Sequence, residues 1–180
     1  MKALIFDTET TDLIKNSVVG LKQQPSIIEF FGEIVDLKTG EKLEELEFLC
    51  HPGFEILPVT TKITGITPEQ LKGLPSFKHF EGKVRAIINS AEAVIAHNLS
   101  YDYAVVMAEL ERCNTMDAVK WPMRRICTVE QTEWIKGFRL NLTSLHEELF
   151  GEAFKGAHRA RTDVEALTRC CLELFKRGDI

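Results

Sequence analysis

Residues 3–13 read ALIFDTETTDL. Residues 2–7, with the apolar run Ala3 to Phe6 and no polar alternation, read as a strand buried on both faces. The run then meets acid at Asp7 and Glu9, one residue apart. Side chains in a strand alternate faces with period two, so both carboxylates point the same way. Like charges held close together repel and resist ionising together. They need a partner. The carboxyl ends of strands in open α/β sheets are where sites collect. A hard divalent cation such as Mg²⁺ or Mn²⁺ suits converging carboxylate oxygens. On these residues alone, two solvated acids opening a turn are the other reading.

Outward from this strand, SIIEFFGEIVD (26–36) reads as a second strand and LEELEFLC (43–50) as a third. The KTG turn at 38–40 joins them as a hairpin. HPGFEILP (51–58) breaks the pattern. TPEQL (67–71) starts a short helix, with Thr67 as cap, Pro68 in the first turn and Glu69 favouring the dipole. SFKHFEGKVRAIINS (76–90) is a helix, AVIAHN (93–98) a fourth strand, and SYDYAVVMAELER (100–112) a helix capped by Ser100. RICTV (125–129) is a fifth strand, followed by a helix through Trp134. LTSLHEELFG (142–151) is a helix stopped by Gly151. TDVEALTRCCLELFKRG (162–178) is the last helix, with Val164, Leu167, Cys171, Leu174 and Phe175 on one face. Strands first, then strands alternating with helices, predict an α/β chain with a mixed sheet flanked by helices. No linker divides it, so residues 1–180 read as a single domain.

Composition narrows the class. A chain of 180 residues with 44% hydrophobic and 27% charged residues can bury a real core. No apolar run reaches the ~18 residues of a membrane span. MKALIFDTE lacks a small-residue cleavage site and reads as no signal peptide. The five cysteines are odd in number and form no C-x-x-C, which fits reduced thiols in a cytoplasmic protein rather than disulfides or zinc. A net charge of −5 argues against coating nucleic acid by bulk electrostatics. Charge is uneven, however: residues 120–161 carry a net +3. That segment reads either as a meeting place for a short polyanion or as a solvated face.

Two later stretches hold further acids. In AHNLSYDYAVV, Asp102 falls in the first turn of a helix after a strand. Helix dipoles favour acids there without any further role, and Asn98 suits a turn. In GAHRARTDVEAL, Asp163 opens a helix in the same way, and His158 lies five residues before it. Five residues turn ~500° on a continuous helix, so the two share a face only if residues 156–161 form a loop. Beside a metal site, a histidine so placed can take a proton from water.

Taken together, these stretches resemble the DEDD superfamily of 3′→5′ exonucleases, in its histidine-bearing DEDDh branch, over nearly the whole chain. FDTETTDL resembles the motif F-D-x-E-T-T-G, AHNLSYDYAVV resembles H-N-x-x-F-D, and AHRARTDVEAL resembles H-x-x-x-x-D. IIEF (27–30), TKITGITPEQL (61–71), ICT (126–128) and LNLTSL (140–145) resemble family landmarks in the expected order. The resemblance implies a ribonuclease H-like fold. It implies that Asp7, Glu9, Asp102 and Asp163 hold two Mg²⁺ or Mn²⁺ ions and that His158 is the general base. It assigns Thr10, Thr11, Leu13 and Asn98 to substrate binding, with Asn98 holding the turn of the second motif. Arg159 and Arg161 read as phosphate contacts or as solubilising charges.

The implied activity is release of nucleoside monophosphates from a single-stranded or frayed 3′ end, DNA favoured. An exoribonuclease of the RNase T or oligoribonuclease type is the alternative, followed by a non-catalytic nucleic-acid-binding module. The loop histidine argues against a ribonuclease H-like endonuclease. Two positions depart from the pattern. Asp12 stands where the family usually has glycine, a substitution that matters if the position needs positive φ. Tyr101 replaces the usual phenylalanine. The chain stops soon after the last motif, with no polymerase-tethering tail, which reads as a freestanding nuclease.

Overall fold

Residues 1–15 and 19–180 are described by the computed structural model. The strand that opens the sequence, β1 (Lys2–Thr10), is the middle of a five-stranded sheet. β2 (Ile27–Asp36) and β3 (Glu41–Leu49) complete one side, each antiparallel to its neighbour. β4 (Ala93–Ala96) and β5 (Arg124–Cys127) complete the other, both parallel, giving the order β3-β2-β1-β4-β5. The mixed α/β sheet expected from the sequence is therefore present.

Period-two alternation on β1 divides the core into two layers. Leu4 and Phe6 pack on one face, with Phe30 of β2, against α3 (Phe77–Ser90) and α4 (Leu99–Arg112). Ala3 and Ile5 pack on the other, with Phe31 and Val35, against Val164, Leu167 and Cys171 of α8 (Ala160–Arg177). Of the stripe anticipated on that last helix, Val164, Leu167, Cys171 and Leu174 are buried. Gly32 of β2 lies opposite Phe6, and a Cβ there would stand 3.1 Å from both Leu4 Cδ1 and Phe6 Cβ. The glycine lets the strand carrying the acids press close to its neighbour.

Local chemistry accounts for the helix ends. Thr67 and Gln70 form a reciprocal capping box at α2 (Pro68–Leu71). Asn141 caps α7 (Leu142–Phe150), which Gly151 ends in the left-handed region.

Several boundaries differ from the sequence expectation: β3 runs two residues further back, β4 ends at Ala96 and β5 at Cys127, and four further differences have a physical reason. Within the stretch that broke the pattern, Pro58–Thr64 form a helix, α1. Its buried residues are Thr60 and Thr64, while Val59 and Ile63 are 55% and 54% exposed, so hydrophobic periodicity carries no signal of it. α4 begins at Leu99 after Asn98 turns through φ 76, and Ser100 lies inside the helix rather than capping it. The single helix expected through Trp134 is two short ones, α5 (Thr128–Gln131) and α6 (Glu133–Lys136). They meet at Thr132, whose hydroxyl donates to the Thr128 carbonyl at 2.7 Å. α8 starts at Ala160, two residues early, because its first N–H is accepted by the Glu29 carboxylate of β2. Among the described residues no helix is long and apolar enough to cross a membrane.

Candidate active site

The alternation that splits the core also distributes the acids. Asp7 and Glu9 continue the Ala3–Ile5 face and look toward the N-terminus of α8, where Asp163 lies. One carboxylate oxygen from each of Asp7, Glu9 and Asp163 lies within 4.8 Å of the others. Thr8 faces the opposite layer and meets α4. There Asp102, only 2% exposed, accepts from the Thr8 N–H at 3.1 Å and from its hydroxyl at 2.8 Å. Two donors from β1 thus hold the acid of α4 at the strand that carries the other two.

The electrostatics are those of a cluster short of positive charge. Burial, then Asp102, Glu9, Asp163 and Glu29, hold the Asp7 carboxyl well above the usual carboxylate range. Burial, then Asp163, Glu29 and Asp102, push Glu9 up to about 8. Burial raises Asp102 to about 7 and Asp163 to about 6. The Asp163 Oδ1 atom is buried and lacks a hydrogen-bond partner among the described residues. Converging carboxylates with an unpartnered buried oxygen fit a divalent cation, which would restore the ionised form of every one of them.

His158 enters from the loop before α8. Residues 156–159 are loop, with His158 at φ 70, and its N–H donates to Asp163 Oδ2 at 3.0 Å. The imidazole is exposed and lines a cleft of about 290 Å³ together with Asp7, His97, Asn141, Leu142, Thr143, Phe154, Ala157 and Asp163. This juxtaposition places a titratable ring beside the acidic cluster.

The turn after β1 forms a second, adjoining cleft of about 380 Å³, whose lining includes Glu9, Thr10, Thr11, Leu13, Val59, Ile63 and Tyr101. Leu13 is 74% exposed at its mouth. The Tyr101 hydroxyl donates to the Asp12 carbonyl at 2.9 Å and touches the Thr10 hydroxyl, which donates to the same carbonyl at 2.9 Å. Thr60 of α1 donates to the Thr11 carbonyl at 2.9 Å. The turn is therefore tied from two helices. Asp12 is not among the non-glycine residues at positive φ, so the position does not ask for glycine. Its carboxylate instead accepts from the Leu13 N–H at 2.8 Å and pairs with Lys15. Asn98 is exposed at the start of α4 and lines neither cleft.

Both arginines beside His158 are engaged. Arg159 grips Glu29, and Arg161 pairs with Glu45 and Glu47 of β3 while lying over the Phe31 ring. Sequence reading gave no role to Glu29, although an acid inside the apolar run IIEFF was a visible signal. Nor did it assign His97, quoted within the second motif. Burial presses His97 down to about 4, so the ring is neutral. It sits 2.9 Å from the Thr128 hydroxyl and 3.1 Å from the Leu140 carbonyl, tying β4 to the segment before α7.

The sequence profile of the RNase T exonuclease family matches residues 4–170. The PolC-type DNA polymerase III of Pediococcus pentosaceus is 28% identical over 182 residues, covering 99% of this chain. The chain spans only 12% of that relative's length. Exonuclease X, solved in complex with 5′-overhanging duplex DNA, aligns with a TM-score of 0.66 at 21% identity, covering 98% of this chain and 93% of its own. The nuclease domain of 3′hExo, a DEDDh family member bound to rAMP, aligns with a TM-score of 0.75 at 17% identity, over 98% and 92% of the two chains. The likeness to these two structures is one of fold, the ribonuclease H-like sheet with helices on both faces. With the family profile running from the first strand into the last helix, the chain belongs to the RNase T exonuclease family, within the DEDD superfamily of 3′→5′ exonucleases.

Proposed function

We propose that residues 1–180 act as one exonuclease domain that removes nucleoside monophosphates from the 3′ end of a single-stranded or frayed strand. The observation that carries this reading is the convergence of Asp7, Glu9 and Asp163 within 4.8 Å, with Asp7 and Asp163 lining a cleft together with His158. DEDD exonucleases generally use divalent metal ions. Asp7, Glu9, Asp102 and Asp163 would hold two of them, Mg²⁺ or Mn²⁺, which when bound supply positive charge to the phosphodiester and its leaving oxygen. His158, exposed at the rim, takes the proton of the attacking water on its imidazole. The Thr10–Leu13 turn, with Val59 and Ile63 opposite, accepts the terminal nucleoside, its apolar wall meeting the base. Asn98 supports this by fixing the entry to α4.

DNA is the favoured substrate, in keeping with the overhanging duplex held by Exonuclease X. The rAMP on 3′hExo keeps an exoribonuclease as the second reading. The PolC relatives carry the matching segment inside a polymerase, so proofreading beside a polymerase suits this activity, with the cytoplasm as its compartment.

The test is digestion of 5′-labelled DNA and RNA oligonucleotides of one sequence, with a circular single strand as control. Shortening from the 3′ end that stops in EDTA and returns with Mg²⁺ or Mn²⁺ is the expected result. Full activity in EDTA, or cutting of the circle, refutes it.

A further inference from the structure

Arg159 follows the histidine directly, yet its guanidinium is taken up by Glu29 of β2 while the side chain stays half-exposed. Nε lies 3.1 Å from both oxygens of Glu29, and Nη2 lies 2.7 Å from Oε1. Oε2 also accepts the Ala160 N–H at 3.0 Å. Glu29 itself is 2% exposed, on β2, directly across from Glu9 in the strand register. A planar guanidinium that meets a carboxylate through two nitrogens fixes orientation as well as distance.

The residue on the other side is held as firmly. His158 stands at φ 70, a conformation that favours glycine, and its N–H is on Asp163 Oδ2 at 3.0 Å. Three consecutive residues, 158 to 160, are thus fastened to the two sides of the acidic cluster, His158 to Asp163 and the next two to Glu29. A buried carboxylate beside Glu9 and Asp163 adds to the repulsion there, so apart from capping α8 the acid at position 29 is a cost to the sheet. An apolar residue would pack in its place, since buried ion pairs rarely stabilise more than a hydrophobic substitute does. What the acid does supply is a fixed anchor for the backbone that presents the histidine.

We propose that Arg159 and Glu29 are a positioning pair for His158, and that Arg159 acts on the reaction through the histidine rather than by holding substrate phosphate. This rests on His158 being the general base, and the experiment separates the two ideas. Steady-state kinetics on a single-stranded oligonucleotide are measured for Arg159→Gln and Arg159→Lys, each alone and combined with His158→Ala. Calorimetric Mn²⁺ titrations and thermal melts accompany them.

Misplacing a reacting group by about 1 Å costs up to ~10²-fold, so Arg159→Gln should lower kcat by between about tenfold and that limit. KM should stay within about twofold, and Mn²⁺ affinity should hold. Arg159→Lys should recover only part of the loss, because an ammonium cannot make the two-nitrogen contact. In the His158→Ala background, Arg159→Gln should cost nothing more. Should Arg159→Gln lower the melting temperature, Glu29→Gln repeats the test, since it keeps an acceptor for the Ala160 N–H.

A raised KM with kcat kept would make Arg159 a phosphate contact and overturn the proposal. An equal kcat loss with and without His158 would do so too, as would a loss of Mn²⁺ affinity. If His158→Ala alone leaves kcat intact, the general base has been misassigned, a different failure that the first arm of the experiment reveals.

Discussion

Removing divalent cations and raising the pH from 6.5 to 8.5 should visibly weaken the fold. In this window the carboxylates of the unfolded chain are already ionised. Folded Glu9 keeps its proton until about 8 and folded Asp102 until about 7. The folded state therefore binds more protons, and stability falls as pH rises. Integrated over the window, Glu9 contributes a loss of about 2 kcal/mol and Asp102 about 1 kcal/mol. For a domain of this size, ~3 kcal/mol corresponds to a fall in Tm of about 6–12 °C. Below 6.5, His97, held neutral by burial, works in the opposite direction and offsets part of the fall. Above 8.5, the thiols of Cys50, Cys170 and Cys171, raised by burial, begin to add a loss of their own. The assay is calorimetric melting in EDTA at the two pH values, repeated with excess Mg²⁺. The cation displaces the protons and binds the folded state alone, so the fall should vanish and Tm should rise. Glu9→Gln should remove part of the pH effect, while Asp7, held well above the usual carboxylate range beside it, carries a share of its own. A Tm in EDTA that holds level or rises from pH 6.5 to 8.5 refutes the argument, as does an unchanged slope in Glu9→Gln.

Asp7→Asn or Asp163→Asn should cut kcat by orders of magnitude and weaken Mn²⁺ binding by at least about tenfold, since even outer-shell losses reach that size; a titration showing unchanged affinity would mean that other groups hold the metal. His158→Ala should lower kcat by ~10²–10⁴-fold with Mn²⁺ affinity intact, and higher pH should restore part of the rate. Lost affinity with no recovery at high pH would make the histidine a ligand. Tyr101→Phe should raise KM about two- to tenfold, the worth of one net hydrogen bond, by loosening the Thr10–Leu13 turn. An unchanged KM would show that Thr60 holds that turn unaided.

What could be read in the sequence followed from how local the signal was. β1 announced itself because Ala3 to Phe6 are apolar on both faces, and the acids at its end inherited their geometry from the same alternation. α1 stayed hidden because it turns threonines inward and leaves Val59 and Ile63 in solvent. The early start of α8 was equally invisible, since its cap is a carboxylate 131 residues away. Asp102 and Asp163 looked like ordinary helix-dipole acids until the motifs were read together, because nothing nearby in sequence separates a ligand from a first-turn acid. Arg159 was legible as a cation near the site, but its partner was not. A pair formed between β2 and the loop before α8 leaves no trace in spacing or periodicity.

The bonds that assemble the cluster reach across the chain: 94 residues separate Thr8 from Asp102, and 130 separate Glu29 from Arg159. Contacts of such range cost loop-closure entropy before they stabilise anything, so they form late. During synthesis, the first two acids leave the ribosome at once and then wait. Until His158, Arg159 and Asp163 have emerged and α8 has docked, the nascent chain has Asp7, Glu9 and Asp102 but neither the last carboxylate nor the histidine. On the proposed activity, such a polypeptide would be made next to a messenger and ribosomal RNA while its cutting centre is still in pieces, and the topology itself would delay the hazard.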